Sequence, residues 1–326
     1  MCIRDRCSAP SEDTLSAARD AWRHARVAYG ATEVYRFGGG PIDRRRGGVE
    51  TFVNAWPVDE SYIESADADR RAGLLADRAR YPVLSRPALR ELNQRGGETN
   101  VCTGWHAIEF MLWGRDTSDT GPGTRPSSDF LEGASPDADR RREFLREITI
   151  MLREDLEKVA REWRPDADNY RAAFVANPER AVRAAFVGVA LLTGFEMAGE
   201  RLAVALETRD QEEEHSCFSD TTDADFKANI AGVGVVLRGS SGGPGIIDVV
   251  RSSDPARADA LASALDVAIS AVNAMPAPFD ASVREPDGGP RRELVAAAMR
   301  SLERLSEQVT ASAKALGIHL PTEPQG

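Results

Sequence analysis

A chain of 326 residues with a formal net charge of −11 has ample material for a buried core, in one large domain or two ordinary ones. The acidic balance excludes a nucleic-acid binder, which needs a basic face to displace counterions from phosphates, and argues against adsorption to anionic lipid through charge. Four cysteines without Cys-x-x-Cys spacing are too few for a disulfide scaffold or a zinc knuckle.

Met1-Cys2-Ile3-Arg4-Asp5-Arg6 lacks the apolar stretch of a signal peptide and reads as a foreign scar, so residues 1–10 are expected to be disordered or artefactual. Cys7-Ser8-Ala9-Pro10-Ser11-Glu12-Asp13 has the cysteine, small residues and acidic spacer of a mature lipoprotein start. That makes Cys7 a candidate lipid anchor, with an ordinary N-terminus as the alternative. Ser11 to Tyr35 predicts a helix, with Ser11 as cap, Glu12 and Asp13 favouring its dipole, and Trp22, Arg26, Tyr29 and Glu33 at helical spacing. Gly38 to Gly40 then make a turn. Ser61 to Arg80 reads as a polar helix, and Pro87 starts another.

Asn100 to Trp113 predicts an amphipathic helix closed by Gly114, and Asp137 to Trp163 a longer one with Phe144, Ile148, Met151, Leu152, Leu156 and Val159 along one face. Pro165 marks the domain boundary, giving a first helical bundle over 11–165 and a second over 166–320. In the second half, Pro178 to Glu207 is the most apolar helix, its small residues allowing neighbours to approach closely. Arg183, Glu196, Glu200 and Arg201 keep it from being an uninterrupted run of the roughly 20 residues a membrane helix needs. Helices over about Asp223–Leu237, Pro255–Asn273 and Pro290–Leu316 follow, with Gly239 to Gly245 as a glycine-serine loop. Without sustained period-two alternation no sheet is needed, and the fold class is all-α: two helical-bundle halves.

His106 and Glu109 stand three apart on a predicted helix, so both side chains leave one face. An imidazole and a carboxylate so placed form either a hydrogen-bonded pair or part of a metal site completed from other helices. Gly104 lowers the bulk nearby, where a ligand or a neighbouring backbone can approach. The order is neither His-Glu-x-x-His nor Glu-x-x-His, and no nucleophile elbow, phosphate loop or dinucleotide turn is present.

Thr103-Gly104-Trp105-His106-Ala107-Ile108-Glu109-Phe110-Met111-Leu112-Trp113-Gly114 resembles the Gly-x-His-x-x-Glu segment of the imelysin family. Four further blocks resemble the same family in the same order: Glu33 to Gly38, Val53 to Glu60, Gly194 to Arg201 and Glu213 to Thr221. The resemblance implies two helical halves with the His-x-x-Glu helix facing a cleft between them. It also implies export to the periplasm or outer surface of a bacterium, often as an outer-membrane lipoprotein, and an association with iron uptake. The family takes its name from a peptidase activity, which does not establish proteolysis here.

Carried over by position, His106 and Glu109 are the metal candidates of first rank, and Glu33, His215 and Asp220 are candidate ligands or supporting groups. Glu33 could instead pair with Arg26 or Arg36, and His215 could be solvated in its acidic run. Related sequences tend to carry histidines where this chain has Asp223-Ala224-Asp225-Phe226. Such an oxygen-rich site favours ferric iron over zinc or copper, or else binds metal weakly or not at all. If the first and last blocks meet, Cys102 and Cys217 come within reach of a disulfide; two buried free thiols are the alternative.

Three functions compete. One is an envelope protein that binds a metal ion, iron favoured, alongside envelope iron-transport components. The second is a metallopeptidase of the imelysin type, which lacks an obvious base or second histidine beside His106. The third is a non-catalytic partner-docking module in which the motif only fixes helix packing.

Overall fold

A computed structural model describes residues 10–65, 72–118, 120–240 and 242–324, and among these there is no strand. The candidate anchor Cys7 and the Met1–Arg6 stretch lie outside the described residues. The main helices are α1 (Glu12–Gly30), α2 (Arg86–Leu92), α3 (Gly104–Trp113), α4 (Ala138–Glu162), α5 (Tyr170–Ala176) and α6 (Pro178–Thr208). They continue with α7 (Thr222–Arg238), α8 (Ile246–Arg251), α9 (Pro255–Asn273) and α10 (Pro290–Ala315). Pro178, Pro255 and Pro290 open their helices, where a missing N–H costs nothing, and Asn177 and Asp254 cap α6 and α9 by accepting from the N–H groups of Arg180 and Arg257.

Three local expectations are corrected. The described residues of the 61–80 stretch do not form the expected helix: Asp59 caps a single turn, Glu60–Ile63, and Leu74 and Leu75 then donate back to the carbonyls of Tyr62 and Ile63. The first helix stops at Gly30, and Glu33–Tyr35 is a separate 3₁₀ turn. Helix α3 is not amphipathic but buried on every side, all ten of its residues included, as its run of large apolar residues allows.

The chain folds as two compact units that exchange segments rather than dividing at one point. One comprises the described part of Met1–Ala25 with Val49–Ala160 and Ser216–Ser219; the other comprises Arg26–Gly48, Arg161–His215 and the described part of Asp220–Gly326. In the first, α3 is buried, and Trp22 packs edge-on against both Trp105 and Trp113. Its indole N–H donates to the Trp105 carbonyl at 3.1 Å.

In the second unit α10 packs along α9 and along α6, around a core that includes Phe186, Leu202, Phe226, Leu265 and Leu302. By length and apolar content α6 could cross a membrane, contrary to the expectation from its interrupting charges; here it is a core helix with 56% of its most apolar window buried. Its middle, Leu191–Ala203, is wound as a π-helix, whose i to i+5 hydrogen bonds bring side chains five apart onto one face. Glu196 and Arg201 have that spacing and are paired at 2.8 Å. The small residues do permit close approach: a Cβ on Gly188 would stand 2.1 Å from the carbonyl oxygen of Val34.

Candidate functional site

Gly104 begins α3 with φ +85°, a left-handed conformation that L side chains rarely adopt. A Cβ there would lie 2.5 Å from the Val53 carbonyl oxygen, so a neighbouring backbone requires the Gly of Gly-x-His-x-x-Glu. One turn on, His106 and Glu109 are 1% and 0% exposed. The Nδ1 of His106 lies 3.0 Å from Oε2 of Glu109, while Oε1 accepts from the Ser219 backbone N–H at 2.9 Å and from the Ser219 hydroxyl at 2.7 Å. Glu109 therefore ties the Ser216–Ser219 segment to α3, and the neighbouring Phe218 ring packs on Phe110 with centroids 5.2 Å apart. The carboxylate is a fixed, desolvated acceptor, worth more than the same contacts in water.

As a metal centre this arrangement is incomplete. Catalytic zinc sites draw three protein ligands and structural ones four. Here two donors are joined, and among the described residues no three His, Cys, Asp or Glu side chains gather into a group that could hold an ion. The described residues do not by themselves fit the metal that the resemblance implies. Cys102 and Cys217 are buried thiols that are not joined to each other, so the possible disulfide is not formed. Burial pushes the Cys102 thiol well above its usual range, which makes it inert.

The second-rank candidates belong to the other unit, where Glu33 and His215 are paired with arginines. Arg26, 1% exposed, donates to both oxygens of Asp225 at 3.0 and 3.1 Å, and its Nη2 lies 3.1 Å from Nδ1 of His215. His215 is held in turn by Asp225 at 2.8 Å. Arg201 donates to Glu33 and Glu196, both at 2.8 Å, and to Asn229 at 2.9 Å, with Arg36 3.6 Å from Glu196. Burial and the nearby guanidinium of Arg201 push the His215 imidazole down to about 4, against the pull of Asp225, so it is neutral at pH 7. Burial works against ionisation of Glu33 and Asp225, but their arginines outweigh it and hold both carboxyls below the ordinary range. Glu196 is held at about 2 in the same way. Asp220, half-buried, takes a left-handed backbone conformation (φ +53°) just before α7.

Sequence reasoning offered Arg26 and Arg36 as partners of Glu33, and both lie 3.9 Å from it, but it missed Arg201 beside Glu33, Arg26 and Asp225 beside His215, and Ser219 as the partner of Glu109. One signal was available: Glu196 and Arg201 sit five apart inside an apolar helix, where charges are retained only when paired.

All-helical among its described residues, the chain carries the Gly-x-His-x-x-Glu segment that marks its resemblance to the imelysin class on one buried helix. The imelysin family model matches residues 3–309, and the chain belongs to that family. Iron-regulated protein A of Synechococcus elongatus is 26% identical over 301 residues, covering 86% of this chain and 69% of the relative. Two solved structures share the fold at 16% identity. A candidate iron-regulated protein A precursor from Parabacteroides distasonis superposes with a TM-score of 0.71, over 96% of this chain and 86% of that one. An imelysin-like protein from Psychrobacter arcticum gives a TM-score of 0.67, over 97% and 88%.

Proposed function

We propose that this chain is an exported cell-envelope protein that serves iron handling as a binding component and not as a peptidase. The single observation that carries the reading is the state of Glu109. Both of its oxygens are engaged in the pairs with His106 and Ser219, so the acid of the family motif is braced in place and not poised as a general base for water. The iron association is supported by the name of the Synechococcus relative, iron-regulated protein A. His106 and Glu109 are the donors with which iron would engage. Because the described donors fall short of a complete centre, no step of this reading passes through a bound ion. Envelope iron-transport components are the partners this role requires.

Calorimetric titration of the purified chain with ferric citrate, ferrous iron and zinc, beside His106→Ala and Glu109→Ala variants, tests the reading. Saturable iron binding that either substitution weakens at least tenfold is the expected result. Iron binding that both variants keep moves the site elsewhere, and chelator-sensitive cleavage of an unfolded protein substrate would replace the binder with the peptidase.

A further inference from the structure

Within the second unit a partly open cavity of about 360 Å³ is lined by none of the residues of the buried arginine network. One part of its lining is aromatic: Tyr35, Trp163, Tyr170 and Phe174, joined ring to ring with centroids 5.0 to 6.0 Å apart. The remainder is small or aliphatic, with Gly38, Ala181, Ala184 and Val182 among it. Two glycine-rich turns that carried no function in the sequence, at Gly38–Gly40 and Gly239–Gly245, each contribute to this wall through Gly38 and through Pro244 and Gly245.

Three properties are those of a ligand site rather than of ordinary core. Tyr35 is 46% exposed although its ring belongs to the cluster, and α5, which supplies Tyr170 and Phe174, has no buried residue. A packed core would have closed over such rings, since each hides a large apolar area when buried. The polar tips are unassigned: the hydroxyls of Tyr35 and Tyr170 and the indole N–H of Trp163 make no hydrogen bond to another described residue. Concave, mostly apolar lining with a few residues that carry polar tips, at the lower end of the 300–1,000 Å³ range, fits a small-molecule pocket. Charge near the cavity is balanced, with Arg180 and Asp43 both acting on Tyr170 and Arg44 facing Glu162 at 3.7 Å.

We propose that this cavity binds a small, neutral, planar molecule of one or two fused rings bearing a hydrogen-bond acceptor. Aromatic faces and aliphatic walls take the ring system, the indole N–H and phenolic O–H groups donate to the acceptor, and the balanced charge selects against ions. This site is independent of the iron reading, because its residues are shared with none of the candidate metal ligands.

The test uses the whole chain and 6-propionyl-2-(dimethylamino)naphthalene, a neutral two-ring ketone whose emission shifts to the blue in apolar surroundings. Saturable one-to-one binding with a blue shift is expected. Ala181→Phe and Ala184→Phe, which fill the cavity, are expected to weaken it at least tenfold with the helical circular dichroism unchanged. Tyr35→Ala removes a half-exposed ring and is expected to weaken binding at least threefold, which keeps the test decisive if a filling variant unfolds. Absence of saturable binding, or equal affinity in Tyr35→Ala and the folded filling variants, overturns the proposal.

Discussion

Replacing Arg201 with methionine keeps an apolar stem of similar reach while deleting the charge that holds two acids in the interior. Arg201 is 2% exposed and donates to Glu33, Glu196 and Asn229 at 2.8 to 2.9 Å. With it gone, the nearest arginine nitrogens to Glu33 among the ion pairs described are those of Arg26 and Arg36, each 3.9 Å away. Removing one partner of a buried ion pair costs about 3–5 kcal/mol, because the remaining charge stays desolvated. A second route gives the same size: holding the Glu196 carboxyl at about 2 instead of 4.5 corresponds to roughly 3 kcal/mol, part of it due to Arg36. The sign with pH follows from linkage. A depressed carboxyl stabilises the fold above its unfolded value and loses that contribution as pH falls through its folded value. Arg201→Met is therefore expected to lose about 3–5 kcal/mol at pH 7, and the deficit should narrow towards about pH 3.5, where the freed acids take up protons. Urea unfolding of both proteins, followed by circular dichroism at the two pH values, measures this. A deficit under about 1 kcal/mol at pH 7, or one of equal size at both pH values, refutes the argument that buried acids depend on this arginine.

The neutral imidazole of His215 makes the opposite end of the network acid-sensitive: with its folded value at about 4 and an ordinary value of 6.5, stability is complete above 6.5 and is lost as pH falls from there to 4, by at most about 3 kcal/mol. His215→Gln should remove that decline, and parallel stability profiles for the two proteins between pH 6.5 and 4.5 would contradict it. Gly104→Ala places a Cβ 2.5 Å from the Val53 carbonyl oxygen at a positive φ. The expected loss is about 2 kcal/mol or more, read as a lower urea midpoint; an unchanged midpoint would show that the motif glycine is not there for the backbone.

The local code of this chain was strong enough to place α9 from Pro255 to Asn273 and α4 within a residue or so at each end, because caps, prolines and apolar spacing act over a few residues. It also singled out the His106–Glu109 pair, since residues three apart on a helix share a face whatever lies beyond them. The failures were of a different kind. Residues 61–80 had a helix-like composition, but the carbonyls of Tyr62 and Ile63 accept from Leu74 and Leu75, a pairing across the segment that helical spacing does not reveal.

Whether α3 would be half-exposed or sealed depended on how much of it neighbouring segments cover, which no spacing records. The roles of Glu33 and His215 turned on partners up to 189 positions away: the same side chains could serve a cation or an arginine until tertiary packing set Arg26 and Arg201 beside them. Sequence alone determined which segments wind into helices and which side chains share a face. Only the tertiary structure decided which acids are neutralised by arginine, because burial and long-range pairing are properties of three-dimensional neighbours and not of chain order.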